Sequence, residues 1–405
     1  MADILFANAN SLFDHTSGSS KSIRLILQKL SAIGNNVYAV TGCTSDSYEG
    51  YKASTRIWNQ SKEKEEHNNN NFITRFNYNG IKYSFIKTRN WQRNLLTADE
   101  SENIYRESLG VINECKIKLL ISWGNLLLEE AIFKKAKESN IKLCFYLVNP
   151  TYKGRKIYLF DHADLVITDS LATKSLYSNE IKCKTFIIPK ALDNDFNFDQ
   201  SNSEDNDSKF EKNCLFVNPS LNKGLEAALT LSKYLEKYDP QVRLIFVDAR
   251  GNLKSNLKYL GFDTSELPKN IIVTSGYEQT NELFKNIKLL LLLSIWHESG
   301  SRLILESYSR GIPVIAFNSG GNSELMSGYK NDIFPMPTII SDANKILRIS
   351  QWDPTDMAKR ISLLLKDPIQ YNLISEKIYS NNLTTKQNMR CEKKLNELIK
   401  TIDEN

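Results

Sequence analysis

The stretch that decides the fold is LLLLLSIWHESGSRLILESYSRGIPVIAFNSGGNSELM, from Leu289 to Met326. Its leucine run is strand-sized and apolar throughout, which is typical of a parallel strand buried on both faces. A loop of small residues follows Ser294 and opens a helix, which Gly311 ends. Pro313 then begins the next strand. This strand–helix–strand order predicts a parallel sheet with a right-handed crossover.

The same alternation extends in both directions from this stretch. Three apolar strands, NCLFVN, VRLIFVD and NIIVTSG, precede it. At the N-terminus, the strand Ile4–Ala7 leads into the helix SIRLILQKLSAIG, closed by Gly34, and then into the strand Val37–Thr41. The pair Asn79-Gly80 lies between two apolar runs and predicts a type I′ hairpin.

The length and the polar segments predict the domain organisation. A chain of 405 residues exceeds what one hydrophobic core usually supports, so two domains are expected. Residues 45–71 are polar and predict a mobile loop. We predict an α/β fold with two Rossmann-like domains. The predicted segments are an N-terminal domain over residues 1–190, a linker over 191–213, a C-terminal domain over 214–380 and a C-terminal helix over 381–405.

The composition excludes several classes of protein. A net charge of +5 suits an anionic substrate or contact with an acidic membrane surface, but it is too weak to indicate a nucleic-acid partner. The six cysteines stand singly and predict a reducing compartment. The four histidines lack metal-ligand spacing, so we expect no metal. Neither a signal peptide nor an apolar run of about 20 residues is evident.

The helix start in the deciding stretch is a candidate anion site. Backbone N–H groups at a helix N-terminus bind anions, which makes Gly300, Ser301 and Arg302 suited to a diphosphate. Glu306, inside the helix, is a candidate for ribose hydroxyls, and Glu298, in the loop, for sugar hydroxyls. The alternative for Glu306 is a solvated helix face, because two glutamates at this spacing often occur by chance.

The ordered set of residues in this stretch resembles the family-four glycosyltransferases of the GT-B fold. In that family a glutamate, seven residues and a second glutamate precede a Gly-x-Pro-Val strand and a Gly-Gly pair; ESGSRLILE and GIPVIAFNSGG match both parts. CLFVNPSLNKG resembles the family's first C-domain strand with its phosphate-binding lysine, here Lys223. HTSGSS, which contains Gly18, resembles its N-terminal glycine-rich loop.

The resemblance implies the GT-B architecture, with the two domains facing across a cleft that holds the active site. It implies transfer with retention of anomeric configuration, without a metal or another cofactor. The N-terminal domain would then hold the acceptor and the C-terminal domain the nucleotide-sugar. Lys223 and Glu298 would be catalytic, the lysine by neutralising the departing diphosphate. Gly18, from the other domain, would approach the donor.

Two positions depart from the family pattern. Asn218 stands where many relatives carry an arginine, and it is still counted among the substrate-binding candidates. Asn149 stands where many have a histidine after a strand. Two further candidates for the acceptor side follow N-terminal strands: His15, and Trp123 with its neighbours Gly124 and Asn125. Their alternatives are a solvated loop histidine and a core tryptophan.

The leading hypothesis is a retaining glycosyltransferase that moves a sugar from a nucleotide-diphosphate sugar to a glycan or lipid-linked acceptor. Family habit suggests surface polysaccharide or lipopolysaccharide synthesis, in the cytoplasm or peripherally at the inner face of the membrane. Two alternatives stay open. The departures suggest a catalytically weakened, nucleotide-sugar-binding partner subunit, and the architecture also suits a nucleotide-sugar epimerase. No GxGxxG follows the first strand, which disfavours a nicotinamide oxidoreductase.

Overall fold

The structure, a computed structural model of the chain, describes residues 1–65, 71–193, 211–276 and 280–403. It divides into two compact units. Unit 1 comprises Met1–Ala191 together with Gln387–Asn405, and unit 2 comprises Leu192–Lys386. Each unit is built on its own sheet, with helices packed against it.

The sheet of unit 1 has eight strands in the described residues, in the order β3-β4-β2-β1-β5-β6-β7-β8. All neighbouring strands run parallel except β3 and β4. The strands are β1 (Asp3–Asn10), β2 (Asn36–Thr44), β3 (Ile73–Tyr78), β4 (Ile81–Ile86), β5 (Ile117–Ser122), β6 (Lys142–Leu147), β7 (Leu165–Thr168) and β8 (Lys184–Ile187).

Helices cover both faces of this sheet. Side chains of β1 alternate between faces: Ile4 and Phe6 join one buried cluster, and Leu5 and Ala7 join the other. The C-terminal helix supplies Cys391 and further apolar residues to the first cluster. The helices are α1 (Gly18–Ala32), α2 (Tyr48–Glu63), α3 (Ala98–Glu114), α4 (Leu127–Glu138), α5 (Tyr158–His162), α6 (Leu171–Leu176) and α14 (Leu383–Asp403), whose first turn belongs to unit 2.

The sheet of unit 2 has six strands in the described residues, in the order β11-β10-β9-β12-β13-β14, all parallel. These are β9 (Lys212–Val217), β10 (Val242–Asp248), β11 (Ile271–Ser275), β12 (Leu289–Leu292), β13 (Val314–Phe317) and β14 (Ile333–Phe334). A separate antiparallel pair joins β15 (Thr338–Ser341) to β16 (Leu347–Gln351).

Helices also cover both faces of the unit 2 sheet. Leu289 and Leu291 of β12 face one buried cluster, and Leu290 and Leu292 face the other, which confirms the doubly buried strand predicted from the leucine run. The helices are α7 (Leu225–Tyr238), α8 (Leu253–Tyr259), α9 (Thr280–Leu283), α10 (Arg302–Tyr308), α11 (Asn322–Leu325), α12 (Thr355–Leu364) and α13 (Pro368–Ser380).

Local signals in the sequence predicted several elements well. The β3–β4 hairpin is confirmed: Asn79 has φ 48° and Gly80 has φ 77°, as a type I′ turn requires. Helix α1 is confirmed, with Gly34 beyond its end at φ 94°. Strand β9 begins at Lys212, two residues before the predicted start of the C-terminal domain, and residues 194–210 of the predicted linker lie outside the described residues.

The predicted loop over residues 45–71 is wrong for most of its length, because α2 occupies Tyr48–Glu63. Ser47 caps this helix by accepting a hydrogen bond from the Gly50 N–H. Trp58 anchors it: its side chain is buried, and its indole N–H donates to the Phe85 carbonyl. Tertiary packing of one tryptophan therefore outweighs the polar composition. Residues 66–70 lie outside the described residues.

Over the ranges that the structure describes, no helix combines the length and the apolar character that crossing a membrane requires.

Candidate active site

The order of strands in unit 2 reverses between β9 and β12. From β9 the chain continues to β10 on one side, and from β12 it continues to β13 on the other. Ligands of open α/β sheets bind beyond the carboxyl ends of the strands at such a switch point. The segment after β9 carries Lys223, and the segment after β12 carries Glu298. The topology therefore brings two residues 75 positions apart to one edge of the sheet.

Lys223 and Glu298 form an ion pair, with Lys223 Nζ 2.5 Å from Glu298 Oε1. The same carboxylate oxygen accepts hydrogen bonds from Ser294 Oγ at 2.6 Å and from the Trp296 indole N–H at 3.0 Å. The Lys223 ammonium also lies 5.6 Å from the centre of the Trp296 ring. The side chain of Lys223 is 31% exposed and that of Glu298 is 11% exposed, so the pair is accessible from one side.

The environment keeps the Glu298 carboxylate ionised. Burial alone raises the pKa of this group, but the Lys223 charge and the three hydrogen bonds outweigh burial and lower the pKa to about 2. A group with this pKa cannot donate a proton at neutral pH. All three bonds go to Oε1, which leaves Oε2 without a partner in the described residues and able to accept a hydrogen bond from a ligand.

Glycines set the backbone on both sides of this pair. Gly224, at φ 86°, precedes α7, and a Cβ there would lie 1.9 Å from the Leu293 carbonyl oxygen. Gly320, the first of the Gly-Gly pair, has φ 54°, and a Cβ there would lie 2.1 Å from the Glu298 carbonyl oxygen. Only glycine combines this conformation with such a close approach. The Gly-Gly pair therefore fixes the loop that carries Glu298.

The segment after β13 holds the Glu298 loop by three hydrogen bonds. Gly321 N–H donates to the Glu298 carbonyl at 2.8 Å, and Ser319 Oγ donates to the Trp296 carbonyl. Ser301 N–H donates to Asn322 Oδ1 at 2.8 Å. This last bond corrects the expectation that the Ser301 N–H is an unused donor for a diphosphate.

Arg302 and Glu306 form a second ion pair on α10, with Arg302 Nε 2.9 Å from Glu306 Oε1. Both side chains are buried, Arg302 to 6% exposure and Glu306 to 5%. The alternative of a solvated helix face is therefore wrong for Glu306. Arg310 reinforces the end of this helix, because its Nη1 donates to the Glu306 carbonyl at 2.7 Å.

The remaining predicted substrate-binding residues are Gly300, Asn218 and Gly18. Gly300 lies in the Glu298 loop at φ 106°, against the Leu325 side chain. Asn218 follows β9 in the left-handed region at φ 55°, and its N–H donates to the Val247 carbonyl at 2.9 Å. Its buried Oδ1 has no partner in the described residues. Gly18 is the first residue of α1 in unit 1, where it is exposed and a Cβ would meet nothing within 4 Å.

The candidate acceptor residues differ in their surroundings. Trp123 is buried against Phe6, as the core alternative expects. His15 is half-buried, and its Nδ1 has no partner in the described residues.

Burial lowers the pKa of the His297 imidazole although the Glu298 and Glu324 charges raise it. In the part of the chain that the structure describes, no group of three or more His, Cys, Asp or Glu side chains could hold a metal ion.

Sequence reasoning missed Ser294, Trp296 and Asn322. The first two donate to Glu298 Oε1, and the third fixes the start of α10. All three lie inside the deciding stretch, and Asn322 directly follows the Gly-Gly pair. A polar residue at the carboxyl end of a parallel strand was the available signal for Ser294.

Comparison with known proteins places this geometry in a class. Residues 199–381 match the family model for glycosyl transferases group 1. No curated protein sequence matches the chain significantly. Among solved structures, sucrose-phosphate synthase from Thermosynechococcus elongatus is similar at 12% identity and TM-score 0.65, over 99% of each chain. Anabaena HepE, in complex with UDP-glucose, is similar at 15% identity and TM-score 0.64, over 98% of this chain and all of that one.

A trehalose-6-phosphate synthase, studied for glycosyl transfer with retention, is similar at 9% identity and TM-score 0.61, over the whole of this chain and 99% of that one. The fold is thus GT-B, with two Rossmann-like units, as the resemblance predicted. The C-terminal unit thus carries the glycosyl transferases group 1 domain to which the sequence resemblance pointed.

Proposed function

We propose that the protein moves a hexosyl group, with retention, from a nucleoside-diphosphate sugar bound by unit 2 to a hydroxyl of a glycan or lipid-linked acceptor. One observation carries the proposal: the partly exposed Lys223–Glu298 pair at the switch point of the unit 2 sheet. The UDP-glucose complex of the HepE neighbour supports a UDP-hexose as the donor.

Lys223 stabilises the leaving group. In the reaction the bond between the sugar C1 and the diphosphate oxygen breaks, and a bond from C1 to the acceptor oxygen forms. The acceptor proton leaves with the diphosphate or enters water. Negative charge grows on the diphosphate as the bond breaks, and a preorganised ammonium group nearby lowers the energy of that state. Glu298 keeps this ammonium in place through a bond of 2.5 Å.

Glu298 binds the donor sugar through its second oxygen. Oε1 is saturated by Lys223, Ser294 and Trp296. Oε2 is left for sugar hydroxyls, and an ionised acceptor forms a stronger hydrogen bond than a neutral one. Because the pKa of Glu298 is about 2, this role persists across the physiological pH range.

Glu306 binds the ribose, and Arg302 orients it. The buried Arg302–Glu306 pair fixes the carboxylate on α10, eight residues beyond Glu298. A donor that spans both glutamates has its sugar at Glu298 and its nucleoside at Glu306, with the diphosphate between them. Ser301 contributes its hydroxyl instead of its N–H, which Asn322 already uses.

The proposed setting is the synthesis of a surface polysaccharide or lipopolysaccharide at the cytoplasmic face of the membrane. This setting is inferred from the functions that are common in the family. The net charge of +5 supports peripheral contact with an acidic membrane surface.

A second candidate is a nucleotide-sugar-binding partner subunit with weakened catalysis. The uncharged Asn218 favours it, since Lys223 is then the main cation at the end of β9. Binding of the donor without turnover would identify this case. An epimerase would convert the donor without an acceptor and without a change in mass.

Ligand binding and product analysis test the proposal together. Thermal shift against UDP, UDP-glucose and GDP-mannose is measured for the wild type, Glu298→Gln and Lys237→Ala, an exposed control on α7. A ligand of the native state raises the melting temperature. We expect a shift with UDP and UDP-glucose that Glu298→Gln reduces for the sugar-linked ligand only. Mass spectrometry against an acceptor panel then detects transfer; a wild type that binds none of these ligands would contradict the proposal.

A further inference from the structure

A further ion pair with a buried carboxylate lies near the carboxyl end of a central strand of unit 1. Arg93 Nη2 is 2.5 Å from Glu129 Oε2, and the Glu129 side chain is fully buried whereas that of Arg93 is 20% exposed. Strand order in this sheet reverses between β1 and β5. Glu129 belongs to α4, which follows β5, so the pair lies beside the switch point of unit 1.

Gly124 makes room for this arginine. It follows β5 at φ 102°, and a Cβ there would lie 2.1 Å from Arg93 Nη2 and 2.7 Å from its Cζ. The guanidinium therefore rests against the Cα of Gly124, where any side chain would displace it. The glycine at position 124 thus has a physical reason, because it makes room for the Arg93 guanidinium.

The pair leaves arginine donors unused. Glu129 Oε2 accepts a bond from the Leu126 N–H at 3.2 Å besides the contact with Arg93. Arg93 Nε is buried and has no hydrogen-bond partner in the described residues, whereas Nη2 is engaged with Glu129. Its Nη1 makes no hydrogen bond with them either and is not among the buried atoms, so it is the nitrogen that reaches solvent.

Stability alone does not explain the arrangement. A buried ion pair contributes little to stability relative to apolar residues of the same volume, because both charges lose their hydration. What the pair does provide is a fixed orientation of the guanidinium. The nitrogen that is left, Nη1, carries two N–H groups, and a carboxylate or phosphate oxygen is a strong acceptor for such charged donors.

A basic segment of the chain follows Tyr152. Burial raises the pKa of the Tyr152 phenol, the charge of Arg93 lowers it and the charge of Glu129 raises it, so this phenol lies within the electrostatic range of the pair. The chain continues from Tyr152 into Lys153-Gly154-Arg155-Lys156, all exposed. Glu180 pairs with Lys153 at 2.8 Å, which leaves the local charge positive.

The geometry points to an anion site in unit 1: Arg93, seated by Glu129 and Gly124, binds a carboxylate or phosphate group of the acceptor. That the ligand is the acceptor rests on the proposed transferase function, whereas the anion site itself rests on the contacts of Arg93. The acceptor class is then an acidic glycan or a phosphorylated carrier, which share this chemistry.

Titration calorimetry with three probes tests the site: sn-glycerol 3-phosphate, D-glucuronate and neutral D-glucose. The variants are Arg93→Met, Arg93→Lys and the control Arg106→Met, whose side chain is 76% exposed on α3. We expect the wild type and the control to bind an anionic probe, and Arg93→Met to bind it at least tenfold more weakly. Arg93→Lys keeps the charge but loses the planar guanidinium that Glu129 orients, so its affinity falls between the two.

The outcomes separate the alternatives. A preference for the phosphate indicates a phosphorylated carrier, and a preference for glucuronate indicates an acidic glycan. Unchanged anion binding in Arg93→Met, or glucose binding as tightly as the anions, overturns the site. If Arg93→Met does not fold, Arg93→Lys decides in the same way. UDP binding measured on the same samples should be unaffected; its absence in the wild type would overturn the donor site and leave the anion site standing.

Discussion

Each of the two units has an ion pair beside the point where the strand order of its sheet reverses. The two pairs differ in which partner a ligand can reach. In unit 2 both Lys223 and Glu298 are partly exposed, at 31% and 11% of their side chains. In unit 1 Glu129 is fully buried and only Arg93 is exposed, at 20%. A glycine permits each arrangement, Gly224 against Leu293 and Gly124 against Arg93.

This difference separates the chemistry of the two sites. The unit 2 pair offers a cation for phosphate oxygens and a carboxylate oxygen for neutral hydroxyls, as a nucleotide-sugar requires. The unit 1 pair offers only a cation, because its carboxylate cannot be reached. From similar topology and similar residue types we therefore expect different ligand classes, because burial makes the carboxylate inaccessible in unit 1 but not in unit 2.

The largest expected effect comes from removing the unit 2 cation. Lys223→Ala should lower the transfer rate by about 10²–10³, or about 2.7–4 kcal/mol, because one preorganised group that stabilises the leaving group is lost. The initial rate of UDP release at saturating donor measures it, with Lys237→Ala as the control. Near-normal turnover in Lys223→Ala would show that the unit 2 cation does not stabilise the leaving group, and the proposed chemical difference between the two pairs would be wrong.

A smaller loss is expected at the buried carboxylate on α10. Glu306→Ala should weaken donor binding by about 10–100-fold, as loss of a charged hydrogen bond does, and should change the rate at saturating donor less. The dissociation constant for UDP-glucose and kcat are compared with those of Glu376→Ala, an exposed position on α13. Unchanged donor affinity would count against the ribose assignment.

The role of Gly124 in positioning Arg93 can be tested without substituting a charged residue. Gly124→Ala should weaken binding of the anionic probe about tenfold, since a displaced guanidinium loses about 1.4 kcal/mol of interaction. Gly154→Ala is a matched control, because Gly154 also has positive φ, 69°, but nothing lies within 4 Å of its added Cβ. If both substitutions weaken binding of the probe equally, the lost affinity comes from backbone strain and not from displacement of Arg93.

The smallest effect is a pH dependence specific to unit 2. The pKa of Glu298 is about 2 in the folded protein against an ordinary value of 4.5, so its contribution to stability is complete above pH 4.5 and is lost as the pH falls toward 2. Between pH 6 and pH 4 the wild type should lose about 0.8 kcal/mol more than Glu298→Gln. Urea unfolding at both pH values measures this, with Glu376→Gln as the control; identical losses in all three proteins would contradict it.

Much of the fold was readable from local sequence, since its signals lie within a few residues of one another. Asn79-Gly80 dictates a hairpin because both residues tolerate positive φ. The leucine run after Lys288 dictates a strand buried on both faces. The candidate donor site was similarly local: Glu298, Gly300 and Glu306 lie within nine residues of one another.

Only the tertiary structure decided which charges meet and which are buried. Lys223 and Glu298 are 75 residues apart, and their contact depends on β9 and β12 being neighbours in the sheet. Arg93 meets Glu129 because the chain returns from β4 to the far side of β1. A side chain's partners and hydration depend on neighbours from distant segments, whereas turn and strand preferences depend on the residue and its immediate context.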